Sequence, residues 1–251
     1  MSPNAFARCD GACHHPPVEP LDNAVWHALT GLQSPYAEGT PPAVRFQPDV
    51  SVFTGLPDEI TPAAWDALAD LIGPAAETFV ARGEVGPEPD GWTVTFRLTG
   101  QQMVGPRPGG PRPAPTRPTA TGVDVIELTE ADVADMTALV DLTEPGPFEA
   151  RTIELGTYLG VRDGGELIAM AGQRVRIDGH TEISAVCTRP DHRGKGLAGL
   201  LVDALVDEIH GRGDVPFLNT GSSNTVAISR YLSLGFEIRR QVEVLGLISP
   251  D

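Results

Sequence analysis

Arg189, His192, Arg193 and Lys195 fall within seven residues, in a 251-residue chain whose formal net charge is −16 and whose only lysine is Lys195. A local excess of positive charge on so acidic a background points to a bound anion. Gly194, Gly196 and Gly199 punctuate the same segment, which passes from a β-rich run (181–188) through Pro190 into an amphipathic stretch. The first N–H groups of a helix lack intrahelical partners and sit at the positive end of its dipole. Glycines that bring this backbone close to a ligand therefore make a phosphate cradle.

Two motifs compete for the segment. Gly194, Gly196 and Gly199 spell the Gly-x-Gly-x-x-Gly turn of dinucleotide-binding folds, which needs an early parallel strand before it and an acidic residue about 20 positions on, at the end of the next strand. Asp214 has about that spacing but precedes the next apolar run (216–219), and the upstream pattern is that of an antiparallel meander. Arg193-x-x-Gly196-x-Ala198 is the other motif. Downstream, Asn224, Ala227, Tyr231, Gly235 and Phe236 form a second block, Asn-x-x-Ala-x-x-x-Tyr-x-x-x-Gly-Phe.

Together, in this order, the two blocks resemble the acyl-coenzyme A motifs of the GNAT superfamily of N-acetyltransferases. The resemblance covers about residues 122–248 and is nearest to the C-terminal half of glycine N-acyltransferases. It implies a mixed α/β (α+β) fold in which acyl-coenzyme A enters between two splayed strands, and direct transfer of an acyl group, most simply acetyl from acetyl-CoA, to an amine in a ternary complex. The implied cofactor contacts are Val186, Cys187, Thr188, Arg193, Gly194, Lys195, Gly196, Leu197, Ala198, Asn219, Asn224, Ala227 and Tyr231. Tyr231 is expected to protonate the departing thiolate. Glu182, six residues before Thr188, matches the strand glutamate that serves as base in histone-type members. In a regular strand it shares a face with Ser184, Val186 and Thr188. The acceptor pocket is expected around the irregular segment 143–151, with Glu144 and Phe148, beside Glu182. A catalytically silent acyl-CoA-binding module and a nicotinamide-dinucleotide enzyme are the alternative functions. Cys187 is expected to pack in the interior instead of carrying an acyl group, having no nearby partner in sequence.

The elements that position these residues follow from periodicity and punctuation. Residues 1–20 lack periodicity and read as a flexible tail. Their Cys9, Cys13, His14 and His15 are zinc-ligand types, but adjacent histidines suit a tetrahedral site poorly and no second ligand group follows at a usual spacing, so no metal is expected. Residues 21–104 read as an α/β region: a short helix over 23–32, an extended run over 44–53, a helix over 61–82 broken at Pro74, and a strand over 92–98. This region is a candidate degenerate second GNAT-like half. Residues 105–120 hold too many prolines for helix or central strand and read as a linker. In 121–251, the catalytic domain, a strand (123–128) and a helix opened by Thr129-Glu130-Ala131-Asp132 precede strands at 157–162, 167–176 and 181–188. The turns Asp163-Gly164-Gly165 and Asp178-Gly179 predict an antiparallel meander. A helix over 197–209 should cross over to a parallel strand at 216–220, followed by a helix over 224–234 and a last strand.

Composition sets the partner classes. The acidic balance argues against nucleic acid and accords with a cationic amine, although a self-repelling surface explains it more simply. No apolar run approaches the ~20 residues of a membrane span, no signal-peptide pattern is present, and three cysteines cannot all pair internally, so a cytoplasmic protein without a membrane partner is expected. Oligomeric state leaves no trace in the sequence.

Overall fold

A computed structural model describes residues 19–112 and 122–251. The Cys9, Cys13, His14, His15 cluster and the second half (113–120) of the proline-rich 105–120 segment lie outside the described residues. In chain order the elements are α1 (Ala24–Leu29), β1 (Ala37–Thr40), β2 (Ala43–Phe46), β3 (Phe53–Gly55), α2 (Pro62–Ile72), β4 (Glu77–Arg82), β5 (Thr93–Val104), β6 (Ile126–Leu128), α3 (Val133–Thr143), β7 (Tyr158–Asp163), β8 (Glu166–Ile177), β9 (His180–Thr188), α4 (Leu197–Gly211), β10 (Val215–Gly221), α5 (Thr225–Ser233) and β11 (Glu237–Ile248).

Local chemistry sets most of these boundaries. The Thr61 hydroxyl accepts from Ala64 N at 3.3 Å and Pro62 occupies the first turn of α2, where a missing N–H costs nothing. That helix stops at Gly73, whose φ of +86° suits only glycine. The expected helix over 61–82 is thus half right: Glu77–Arg82 is a strand. Gly73-Pro74 ends the helix, and Thr78, Phe79 and Val80 fit a pleated surface that β3 and β11 complete. Before α3, Thr129 and Asp132 form a capping box, with Thr129 N donating to Asp132 Oδ2 at 2.9 Å.

The eleven strands of the described residues join one mixed sheet in the order β1-β2-β3-β4-β11-β5-β10-β9-β8-β7-β6. β7, β8 and β9 form the expected antiparallel meander, and β9 and β10 are parallel neighbours across α4. Alternation along β8 sends Ala169 and Ala171 to the face covered by α4, with Leu201, Val202, Leu205 and Ile209. It sends Met170 to the opposite face, with Met136 and Leu139 of α3. The order reads similarly from both ends. An antiparallel run (β1-β2-β3, or β7-β8-β9) is followed by a parallel pair bridged by a helix (β3-α2-β4, or β9-α4-β10). The next strand of each run then crosses to the other: β5 pairs with β10, and β11 with β4. β5 and β11 also pair along their length at the centre of the sheet.

The dinucleotide alternative does not fit this topology. The glycine turn follows an antiparallel meander, and Asp214 precedes β10. Its carboxylate is tied back by Thr181 Oγ1 at 2.8 Å and Arg176 Nε at 3.2 Å.

Candidate active site

β9 and β10 pair only from His180–Glu182 to Val215–Phe217, although β9 continues to Thr188 and β10 to Gly221. Past Glu182 the two strands part, which leaves backbone groups of β9 without ladder partners on that side. Within the parted stretch Ala185 adopts a left-handed φ of +52°, and the register against β8 shifts between Gly172–Ser184 and Met170–Cys187. This is a β-bulge, in which an extra residue reverses the alternation. Val186 consequently packs with Ile183 on the α4 face, while Cys187 lies among the α3-side residues. The expectation of one shared face for Glu182, Ser184, Val186 and Thr188 therefore fails at the bulge.

Past Thr188 the chain makes a single turn over Pro190–His192, then Gly194 and Gly196 take φ of +80° and +82° immediately before α4. Side chains disfavour both conformations. The first bond within the helix runs from Leu200 N to Gly196 O at 3.1 Å, so the N–H groups of Leu197, Ala198 and Gly199 open outward from the helix end. Part of the basic cluster is already engaged. Arg189 pairs with Glu166 at 2.6 Å, His192 Nε2 lies 3.2 Å from Asp163, and Arg193 Nε donates to Thr188 O at 3.1 Å.

Glu182 sits where the strands part and is 1% exposed. Arg174 Nε and Nη2 donate to its two oxygens at 3.0 and 2.9 Å, Asn219 Nδ2 donates to Oε1 at 2.9 Å, and Val175 N reaches Oε2 at 3.4 Å. The Arg174 guanidinium also lies 4.9 Å from the centre of the Phe53 ring. Burial alone would pull that guanidinium's pKa down, but the Glu182 carboxylate outweighs it and raises it. Tyr158, fully buried nearby, has a hydroxyl with no hydrogen-bond partner among the described residues, and burial pushes its phenol pKa up. Phe148 meets the Tyr158 ring edge-on at 5.6 Å.

Tyr231, on α5, is 9% exposed and stacks at 5.9 Å with Phe236. Burial pushes its phenol up to about 12, and the neighbouring Cys187 adds to the shift. Cys187 is buried and its thiol is pushed up to about 11, chiefly by burial. Asn224 caps α5, with Oδ1 accepting from Ala227 N at 3.1 Å. Ala227 packs against the α4 core. Glu144 is exposed, ends α3 at φ +48°, and with Val140, Asp141 and Gly146 lines a shallow depression of about 310 Å³.

Asn219 of β10 thus meets Glu182 of β9 where the strands part, the glycine turn follows the end of β9, and Tyr231 packs in the cluster that includes Val186 and Leu197. Arg174, Tyr158 and Arg230 were not singled out from the sequence. Tyr158 opens the mostly apolar β7, and Arg174 stands between Gln173 and Arg176 at the polar end of β8, where nothing in the local pattern marks it out. Among the described residues, no three His, Cys, Asp or Glu side chains gather as a metal site, and no helix is long and apolar enough to cross a membrane.

A sequence model of the FR47-like protein family matches residues 158–245, which span β7 to β11. Two curated relatives match over about two-fifths of the chain. L-amino acid N-acyltransferase MnaT of Escherichia coli K12 is 34% identical over 104 residues, and N-alpha-acetyltransferase RimI of Mycobacterium tuberculosis is 31% identical over 103. These matches cover 39% and 38% of this chain and 60% and 63% of the relatives' lengths. A solved GNAT-family structure from Novosphingobium aromaticivorans is similar over nearly the whole chain: 35% identity, TM-score 0.81, covering 93% of this chain and 100% of that one. With the parted strands, the glycine-hinged helix entry and a full-length relative in agreement, the chain belongs to the GNAT superfamily of N-acetyltransferases.

Proposed function

We propose that this chain transfers an acyl group, acetyl in the simplest case, from acyl-coenzyme A to an amine by direct attack in a ternary complex. The observation that carries the reading is the gap between β9 and β10, which opens directly onto the N-terminus of α4. The residues fit the donor: two left-handed glycines present a helix end to a diphosphate, and unpaired β9 backbone suits the amides of a pantetheine arm. When bound, the donor supplies an acyl group activated as a thioester.

Leu197, Ala198 and Gly199 would hold the diphosphate through their N–H groups. The β9 backbone at Val186–Thr188, past the bulge, would meet the pantetheine and the developing oxyanion. Tyr231 would hold a proton at Oη for the leaving thiolate, a role its raised pKa supports because the phenol stays protonated at neutral pH. Glu182 already accepts from Arg174 and Asn219 with both oxygens, so we assign it the positioning of those two groups at the closed end of the gap in place of direct proton abstraction. The amine proton would pass to water in the gap. Phe148 and Tyr158, near Glu182, would bound the acceptor pocket, with Glu144 at its rim. Residues 121–251 would be the catalytic unit. Residues 21–104 would be a second GNAT-like half that has lost its chemistry, since 56–61, ahead of α2, contain no glycine.

The test is acetyl-CoA-dependent release of free thiol across a panel of free amino acids, polyamines and peptide N-termini, with Tyr231→Phe as control. Turnover that falls about 10²- to 10⁴-fold in the variant, at unchanged acetyl-CoA affinity, is expected. Binding without turnover on any amine would replace the enzyme reading with a silent acyl-CoA-binding module.

A further inference from the structure

We infer that Arg230 is a ligand for the coenzyme A diphosphate and that Gly199 is a glycine in order to admit it, an inference that rests on the acyl-CoA reading above. Arg230 lies on α5, immediately before Tyr231, and its guanidinium packs against the first turn of α4. A Cβ placed on Gly199 would overlap that guanidinium, with Arg230 Nη2 as its nearest atom. Glycine inside a helix is less stable than alanine, so its presence in the first turn of α4 needs a reason, and the approach of Arg230 supplies one.

The electrostatics of this placement are incomplete within the protein. Nη2 of Arg230 is buried and has no hydrogen-bond partner among the described residues. An N–H group shut off from water is normally paired, and a cation is least at home beside the positive end of a helix dipole. The carboxylate that senses Arg230 is Asp203, one turn further along α4. Arg112 acts on it as well, and among the described residues no ion pair within 4.0 Å joins Asp203 to Arg230. Arg112 is itself paired with Asp207 at 2.8 Å. An anion seated on the N–H groups of Leu197–Gly199 would meet both needs: it would compensate the helix end and give Arg230 an acceptor. A diphosphate suits the planar fork of arginine better than the point charge of lysine. Arg230 is therefore a binding residue contributed by the same helix that carries Tyr231, and donor binding would fix α5 against α4 with the phenol in place.

Calorimetric titration of the whole chain tests this, with acetyl-CoA and 3′-dephospho-acetyl-CoA as probes. Wild type, Arg230→Leu, Arg230→Lys, Gly199→Ala and the double variant Gly199→Ala/Arg230→Leu are compared, each with a thermal melt. Arg230→Leu is expected to weaken both probes by about ten- to hundredfold, the range of a charge-assisted hydrogen bond. It should not lower the melting temperature without ligand, because Nη2 has no hydrogen bond among the described residues to lose. Gly199→Ala should weaken binding in the wild-type background and have no further effect in the Arg230→Leu background. If Arg230→Leu does not fold, Arg230→Lys and Gly199→Ala decide the matter through their own losses in affinity. Affinity within twofold of wild type in the folded Arg230 variants would overturn the inference, and a loss confined to acetyl-CoA would reassign Arg230 to the 3′-phosphate. Failure of the wild type to bind either probe would instead overturn the acyl-CoA reading itself, and this inference with it.

Discussion

Arg174→Met is expected to destabilise the protein more than any single change at its surface. The side chains of Arg174 and Glu182 are 14% and 2% exposed, so their pairing is poorly screened and removing the cation leaves a carboxylate stranded in the interior. Breaking one side of a buried pair costs about 3–5 kcal/mol. Asn219 and Val175 N still donate to Glu182 in the variant, which places the loss near the lower end, about 3 kcal/mol. The contact with Phe53 at 4.9 Å adds roughly 0.5–1 kcal/mol, part of which methionine restores by packing. For a chain of this size each kcal/mol corresponds to about 2–4 °C, so the melting temperature should fall by about 6–16 °C. Urea denaturation followed by tryptophan fluorescence gives the free energy directly. Arg174→Met/Glu182→Leu should recover to within about 1 kcal/mol of wild type, because a buried pair replaced by apolar groups of similar volume is often neutral. A loss under about 1 kcal/mol in the single variant, or a double variant no more stable than the single, would refute the reasoning.

Three other outcomes follow from the same geometry. Because burial pushes the Tyr231 phenol up to about 12, acyl transfer should show no alkaline decline from this group near the ordinary tyrosine value of 10.0, whereas a decline centred there and abolished in Tyr231→Phe would keep the phenol as proton donor but refute its burial-raised pKa. The Cys187 thiol, moved from 9.0 to about 11, holds about a hundredfold less thiolate at neutral pH than an ordinary cysteine, so the folded protein should resist iodoacetamide at that position as mass spectrometry reads it. Burial pushes the Asp22 carboxyl up, but Arg240 and Arg239 outweigh it and hold it below the usual range. A carboxyl whose folded pKa is depressed contributes stability above its unfolded value of about 3.9 and loses it as pH falls through the folded value. Asp22→Asn should therefore cost about 1 kcal/mol at neutral pH and nothing once both forms are fully protonated, as acid titration of the melting temperature will show.

Punctuation made the C-terminal half legible in sequence. Asp-Gly turns set the meander, and the spacing of Arg193, Gly196, Ala198, Asn224 and Tyr231 located the helix entry and the phenol before any coordinates. The bulge was hidden because its key residue, Ala185, carries no mark of the left-handed conformation it adopts; a glycine there would have announced it. The strand at Glu77–Arg82 was hidden for a different reason: it is short and follows the helix break at Gly73-Pro74 directly, and its partner β11 lies far along the chain. Glu182 lies where β9 and β10 part, but Arg174 and Asn219, which occupy its oxygens, reach it from neighbouring strands, and pairing across strands cannot be read along one.

The crossing of β5 and β11 bears on how this chain can change over generations. If residues 21–104 once bound a donor of their own, losing that chemistry removed one reason to keep them, yet the exchange supplied another. Deleting them would strip β10 of β5 and β11 of both its neighbours. A working site would then be bordered by open strand edges that invite pairing with other chains. On that reading the exchange would act as a ratchet: catalytic decay in one half would be tolerated, physical loss of that half would not, and the surface freed from chemistry would become available for selection to reshape.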